Sequence, residues 1–344
     1  MSRLPIDMTK WFRVWCWPRE ALRLNSSGDL CLSLAQSNGT VVRTNRTRFE
    51  ALLGKMKIAI IGAKGRLGAA LAREYGRNSE VTSFGHGQLD LGQLDRVQSA
   101  LSDLKFELIL NCAALTNVDY CESHREEAFL INAEAPRLLS QIANEKSAKL
   151  VHFSTDYVFD GKKSDPYTEE DRAIPLSVYG ESKLEGERRV LEVSSHHLVV
   201  RLSWVFGPDK PSFIDQIIQR ARENDVVTAV ADKFSAPTYT IDVVSWLRLA
   251  IDKNANGILH LANNGGCSWQ EWAQYAIDVC RNLRIPLKAE RIGAVSLADI
   301  KNFVAQRPVN TVLSTAKFAA LTGVQPRHWR AAVAEYISAH LSKK

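Results

Sequence analysis

The sequence lacks any apolar run approaching the roughly 18–20 residues needed to cross a bilayer, which excludes a transmembrane helix. Its six cysteines (Cys16, Cys31, Cys112, Cys121, Cys267 and Cys280) form no C-x-x-C pair and no Cys/His cluster. That spacing argues against a metal site, and a chain long enough to build a large core has no need of a disulfide framework. Free thiols in a reducing compartment follow, so a cytoplasmic location is expected. A basic body is missing as well. The net charge is +6, from 44 Lys/Arg against 38 Asp/Glu. Residues 1–55 hold nine basic and four acidic residues, which leaves 35 against 34 for 56–344. A surface that grips phosphate backbones needs its excess on the folded body, so no nucleic-acid partner is expected. Repeats and low-complexity tracts are absent too.

What is present begins with a change of character at Met56. Residues 1–55 carry three of the eight tryptophans (Trp11, Trp15, Trp17) and many arginines. They show no secretory pattern, because Arg13 interrupts the apolar residues of Trp11–Trp17 and no long apolar segment follows. Asp7, Glu20, Asp29 and Glu50 argue against an Arg-rich transit peptide. Met56-Lys57-Ile58-Ala59-Ile60-Ile61-Gly62 reads as a chain start running into a buried strand. Residues 1–55 therefore read as an N-terminal extension, poorly structured or a misassigned start, and 56–344 as the functional domain.

From Lys57 onward short apolar runs alternate with amphipathic stretches. Strands are predicted over Lys57–Ile61, Val81–Phe84, Leu108–Cys112, Leu150–Ser154 and Leu198–Ser203. Helices are predicted over Arg66–Tyr75, Leu94–Leu104, Glu126–Asn144 and Val178–Val193. Continuously apolar strands between helices indicate a parallel sheet covered on both faces, hence an α/β, Rossmann-type doubly wound fold. After Gly207-Pro208 the pattern loosens, with helices expected over Ser212–Arg222, Ile241–Ile251 and Ser268–Leu283 and a short strand over Gly257–Ala262. This part reads as a smaller C-terminal lobe contributing substrate contacts, mainly within 208–344, with Trp246, Trp269 and Trp272 as its packing residues.

Gly62-Ala63-Lys64-Gly65-Arg66-Leu67-Gly68 follows the first strand and opens the first helix. Gly62 permits a tight turn, Gly65 lets the backbone approach a pyrophosphate, and Gly68 lets helix and sheet pack closely, with the helix N-terminus facing the anion. No Gly-Lys-Ser/Thr follows at the spacing of a Walker A loop. The acid that would hold an NAD ribose after the second strand is missing, since Phe84-Gly85-His86 stands there. Lys64 and Arg66 would attract a 2′-phosphate, which favours NADPH, with NADH as the alternative cofactor.

Tyr179 and Lys183 lie four apart in Tyr179-Gly180-Glu181-Ser182-Lys183, on one face of a helix. A phenol titrates near ~10 and is a poor proton exchanger at neutral pH; a neighbouring ammonium would lower that value. Thr155, in Ser154-Thr155-Asp156-Tyr157-Val158-Phe159, stands at the C-terminal end of the fourth strand, where open α/β sheets place ligands. It could bond the carbonyl oxygen that Tyr179 protonates. Gly180-Glu181-Ser182-Lys183-Leu184 approaches a nucleophile elbow, but Leu184 replaces the last glycine and no strand precedes the serine. His152, Cys112 and Cys121 read as packing or satisfied sheet residues.

From Met56 to the C-terminus these motifs resemble the extended short-chain dehydrogenase/reductase superfamily and, within it, the dTDP-4-dehydrorhamnose reductase family. The resemblance is carried by the glycine loop, Asn111–Asp119, Ser154–Phe159, Pro175–Glu187, Arg201–Gly207, Phe234–Thr238 and Gln306-Arg307-Pro308. It implies that Thr155, Tyr179 and Lys183 are catalytic. Gly65, Arg66, Leu67, Asp90, Leu91, Ala113, Ala114 and Thr116 would line the cofactor, beside Gly62, Gly68, Tyr179 and Lys183. Ser154, Thr155 and Trp204 would meet the sugar. The chain departs from the family at His86, where arginine is frequent, and at Cys112, where alanine is usual. Some relatives use acidic residues for Mg²⁺; none is mapped onto this chain, and no metal is expected. The implied activity is reduction of the 4-keto group of a deoxysugar nucleotide, with a homodimer as a compatible assembly. Alternatives are another nucleotide-sugar reductase or epimerase, and a non-catalytic NADP-binding subunit resembling the regulatory subunit of methionine adenosyltransferase.

Overall fold

Six parallel strands form the central sheet of the computed structural model: β1 (Lys57–Ile61), β2 (Glu80–Phe84), β3 (Leu108–Asn111), β4 (Lys149–Thr155), β5 (Leu198–Leu202) and β6 (Gly257–His260). Their spatial order is β6-β5-β4-β3-β1-β2. The structure describes residues 56–341 and, ahead of them, the backbone of two short antiparallel strands, Leu22–Leu24 and Leu30–Leu32. Contacts divide the chain into two units, 1–47 and 48–344. The expectation of an unstructured leader over 1–55 falls otherwise outside the described residues.

The inner strands β3, β4 and β5 are buried along their whole length because both faces of the sheet are covered, whereas the edge strand β2 (Glu80-Val81-Thr82-Ser83-Phe84) is partly exposed. The pleat sends successive side chains of β1 to opposite sides. Ile58 and Ile60 join Leu67 and Leu71 of helix α1 (Arg66–Tyr75) in one core. Ala59 and Ile61 join Val97 and Leu101 of helix α2 (Leu94–Ser102) in the other. Ile60 is fully buried; truncating such a residue to alanine costs about 2–5 kcal/mol.

The predicted single helix over Glu126–Asn144 is broken in character. Helix α3 (Arg125–Phe129) passes through a π-helical turn, Leu130–Glu134, into α4 (Ala135–Glu145). Pro136 supplies the physical reason, since it lacks the N–H that would bond four residues back and its ring crowds that turn. Helix α5 (Val178–Val193) has the predicted bounds, with Ser177 capping it by accepting the Gly180 N–H at 3.2 Å.

Two segments after Pro208 complete the sheet instead of building the lobe. Strand β6 pairs with β5, and helix α6 (Thr240–Asp252) packs Val243, Val244, Trp246 and Leu247 into the Ile58/Ile60 core. Trp246 is therefore a packing residue of the sheet. The lobe proper has its own core, where helices Phe213–Glu223, Trp269–Asn282 and Trp329–His340 bury Ile217, Trp272, Ile277, Trp329 and Tyr336. A parallel pair of strands, Val227–Val230 and Ile292–Val295, lies beside them.

Candidate active site

Strand order reverses between β1 and β3, so the chain leaves their C-terminal ends in opposite directions and opens a crevice there. The crevice is a cleft of about 1260 Å³. Gly62, Gly65, Arg66, Leu67, Asp90, Leu91, Ala113, Ala114, Thr116, Ser154, Thr155, Tyr179, Lys183 and Trp204 all line it. Of the residues nominated from sequence, Gly68 alone is not on its wall.

The glycine loop shows why. Gly62 has φ +79°, a left-handed conformation that disfavours other residues, and its N–H donates to Phe84 O at 2.9 Å. A Cβ on Gly68 would lie 2.3 Å from Gly62 O, so Gly68 packs beneath the loop and holds helix to turn. Helix α1 has Gly65 at its N-cap, no side-chain cap and no acidic residue in its first turn. Its first N–H groups are left to an anion from the cleft, and the loop fits the pyrophosphate of a dinucleotide.

The two cations of this loop are placed differently. The Arg66 guanidinium donates to Lys210 O at 3.1 Å and to Pro211 O, so the loop after Gly207 engages it. Lys64 runs its methylenes over Gly85, where an added Cβ would stand 2.8 Å from Lys64 Cδ. Lys64 therefore lies at the end of β2, where a ribose phosphate belongs, and the shared role expected of Arg66 is changed by its bonds to loop carbonyls. Asp90 accepts the Gly92 N–H at 2.9 Å.

Tyr179 and Lys183 reach the cleft from α5, and both are buried. Burial, partly offset by the Thr155 hydroxyl, pushes the Tyr179 phenol above its ordinary range. Burial also pushes Lys183 down to about 8, against the pull of Glu187. The expected depression of the phenol by a lysine ammonium is not what this arrangement produces. Lys183 Nζ donates to Phe153 O at 2.7 Å and lies 3.3 Å from His152 Nε2. Desolvation dominates instead and keeps Tyr179 in the protonated form an acid requires. Thr155 Oγ1 accepts the Tyr157 N–H at 3.2 Å. Ser154 Oγ is buried and has no partner among the described residues, so it is free for an oxygen arriving in the cleft. Ser182 Oγ is no nucleophile: it is buried inside α5, donating to Tyr179 O and accepting from Asn132 Nδ2.

Residues 56–342 match a family model described as RmlD substrate binding domain. The chain belongs to this family. The dTDP-4-dehydrorhamnose reductase of Aggregatibacter actinomycetemcomitans is 33% identical over 285 residues, covering 80% of this chain and 97% of that one. The corresponding Escherichia coli protein is 33% identical over 272 residues, covering 76% of this chain and 91% of its own length. The dTDP-4-dehydrorhamnose reductase of Bacillus anthracis, solved in complex with NADP, superposes with TM-score 0.78 at 30% identity, covering 83% of this chain and 99% of the other. The resemblance carried by the motifs therefore holds, and the chain is an NAD(P)-dependent oxidoreductase of the RmlD family.

In this RmlD-family chain several residues missed from sequence hold the site together. Asn132, at the π-helical turn, exchanges hydrogen bonds with Leu115 N and O at 2.8 and 3.0 Å and reaches Ser182 Oγ at 3.0 Å. It ties the loop after β3 to α5, and an asparagine four residues before a proline within a helical pattern was the available signal. Asp119 accepts from Val304 N, Ala305 N and both Arg307 Nη atoms at 2.5–3.0 Å, and Arg307 stacks 3.5 Å over the Phe303 ring. Arg307 holds the Asp119 carboxyl at about 2. Buried Asp156 takes hydrogen bonds from Ser235 and Thr311. Trp204, expected against the sugar, adopts φ +38° and stacks on Trp272 with ring centroids 5.6 Å apart. A bulky side chain in the left-handed region is costly, and such strain concentrates at ligand sites. Trp269, expected to be packing alone, also lines the cleft.

Proposed function

We propose that the chain reduces the 4-keto group of a deoxysugar nucleotide at the expense of NADPH or NADH, converting dTDP-4-dehydro-L-rhamnose to dTDP-L-rhamnose. The observation that carries this reading is the meeting of Thr155, Tyr179 and Lys183, from β4 and α5, on one wall of a cleft whose floor is the glycine loop. The names of the RmlD-family relatives point to the same substrate.

The loop from Gly62 to Leu67 would hold the pyrophosphate, Asp90 and Leu91 the adenosine side, and Ala113, Ala114 and Thr116 the middle of the cofactor. Bound there, a reduced nicotinamide supplies the hydride. Tyr179 gives its phenolic proton to the keto oxygen as charge develops on it. A buried acid of raised proton affinity is protonated at every physiological pH, so it is ready without a preceding uptake step. Thr155 and Ser154 orient the same oxygen through their hydroxyls. Lys183 would bond the cofactor ribose with an N–H that Phe153 O leaves free. Trp204 and Trp269 offer apolar rings to the sugar and exclude water.

The reading extends to a cytoplasmic location, a homodimer and no metal requirement. The test is oxidation of NADPH and of NADH, followed by absorbance, on adding dTDP-4-dehydro-L-rhamnose and other 4-keto nucleotide sugars. Fast turnover confined to the rhamnose precursor supports the reading, while turnover of a different sugar reassigns the substrate. Tight cofactor binding with no turnover of any of them would overturn it in favour of a binding subunit. Light scattering reads the assembly.

A further inference from the structure

The groups beneath Lys183 form a chain whose direction can be read from its far end. Asn111 Oδ1 accepts the Ala113 N–H at 3.2 Å. A backbone N–H only donates, so this contact fixes the amide and turns Asn111 Nδ2 toward His152 Nδ1, 3.1 Å away. An amide nitrogen also only donates, so Nδ1 must accept. A neutral imidazole has one N–H, which is thereby on Nε2, the atom 3.3 Å from Lys183 Nζ. An ammonium has no lone pair and would meet that N–H donor to donor. A neutral amine has one and accepts it, while still donating to Phe153 O.

The other groups facing Lys183 do not impose this. Tyr179 and Glu187 come from its own helix, Cys112 from the loop after β3, and His152 from β4. Burial keeps the Cys112 thiol and the Tyr179 phenol neutral. Glu187 favours the ammonium, but its carboxylate is held by Arg201 of β5 at 2.6–3.2 Å, and both are buried. His152 does not relieve the conflict by charging, since burial and Lys183 together hold its pKa far below the usual value. Lys183 can take up a proton only if His152 moves its own proton to Nδ1 and Asn111 releases either His152 or Ala113.

We propose that Asn111 and His152 are positioning residues that lower the basicity of Lys183, and that His152 changes tautomer whenever Lys183 takes up a proton. This rests on Lys183 being the lysine of the proposed reaction, although the tautomer itself is measurable without turnover. Ala113 belongs to the wall of the cofactor cleft, so the protonation of Lys183 is linked to that wall.

The test begins with ¹⁵N-histidine NMR on the full-length, cofactor-free protein across the titration of Lys183, with His152 assigned by its loss in His152→Phe. The expected result is Nε2–H on the alkaline side and Nδ1–H on the acid side, with Lys183→Met locking Nε2–H throughout. A proton that stays on one nitrogen across the titration in the unmutated protein overturns the proposal. Two variants then read the consequence. His152→Phe removes the opposing N–H, and Asn111→Ser provides a hydroxyl that either donates or accepts. Both should raise the pKa of the alkaline fall in kcat/KM, by up to about one pH unit for the release of one hydrogen-bond conflict. Asn111→Ser keeps the imidazole and so guards against a packing failure in His152→Phe. An unmoved alkaline limb in a folded Asn111→Ser protein also overturns the proposal.

Discussion

The floor of the cleft and its rim are built on different terms. The floor is made of main-chain geometry: a left-handed glycine, an uncapped helix start and the ends of β1, β3 and β4. The rim is held by side chains far apart in sequence, such as Asp119 with Arg307 and Asp156 with Ser235 and Thr311. The floor should tolerate little change and set cofactor affinity. The rim should give way one contact at a time and be felt in substrate affinity.

The largest expected effect lies where the two meet. Tyr179→Phe removes the acid and keeps the ring, so turnover should fall by roughly 10²–10⁴-fold with cofactor affinity preserved. Single-turnover rates beside a fluorescence titration with NADPH separate the two. Near-normal turnover would undo the mechanism.

Next is the floor. Gly68→Ala places a methyl 2.3 Å from Gly62 O, and with backbone on both sides the loop must shift. Overpacking of this kind costs about 1–3 kcal/mol. Cofactor affinity should drop by about two- to tenfold if half of that falls on binding, as titration calorimetry would show. Unchanged affinity would mean the loop does not carry the pyrophosphate.

Breaking the rim should cost less and in another quantity. Asp119→Asn leaves the nearly buried Arg307 without its carboxylate, a loss of about 1–3 kcal/mol for a charged hydrogen bond. KM for the sugar nucleotide should rise with cofactor affinity unchanged. The same pair predicts a pH dependence. The Asp119 pKa is depressed in the folded state, so its stabilisation is complete above the ordinary carboxylate value near ~4 and is lost as pH falls through about 2. Acid unfolding of the Asn variant should show a shallower slope in that window. An equal slope would show that the Asp119–Arg307 pair does not carry this acid sensitivity.

The contrast also explains what was legible in the sequence. Gly62, Tyr179, Lys183 and Thr155 could be placed because strand-turn-helix order and four-residue spacing fix backbone positions. The partners of Asp119 lie almost 190 residues away, and no local pattern encodes them. Strand β6 was mistaken for part of the lobe because an edge strand of four residues after a loosened pattern gives little signal. The state of Tyr179 was misjudged for another reason: helical spacing brings Lys183 alongside, yet says nothing of His152 and Phe153, which capture its nitrogen.

The smallest effect is expected outside both regions. A protein starting at Met56 should retain its turnover and its melting temperature, because the cores of the sheet and of the lobe are built from residues 56 onward. Loss of either would show that residues 1–55 contribute.

Arg66 joins floor to rim, and its position has a thermodynamic consequence. Its guanidinium opens the phosphate-binding helix yet rests on the carbonyls of Lys210 and Pro211, in the loop that leads to Phe213 and the lobe. A cofactor phosphate that draws Arg66 toward itself must take it from that loop. Cofactor and sugar nucleotide then cannot have independent affinities: whatever one gains or loses from the other's presence is returned in equal measure when the order of binding is reversed.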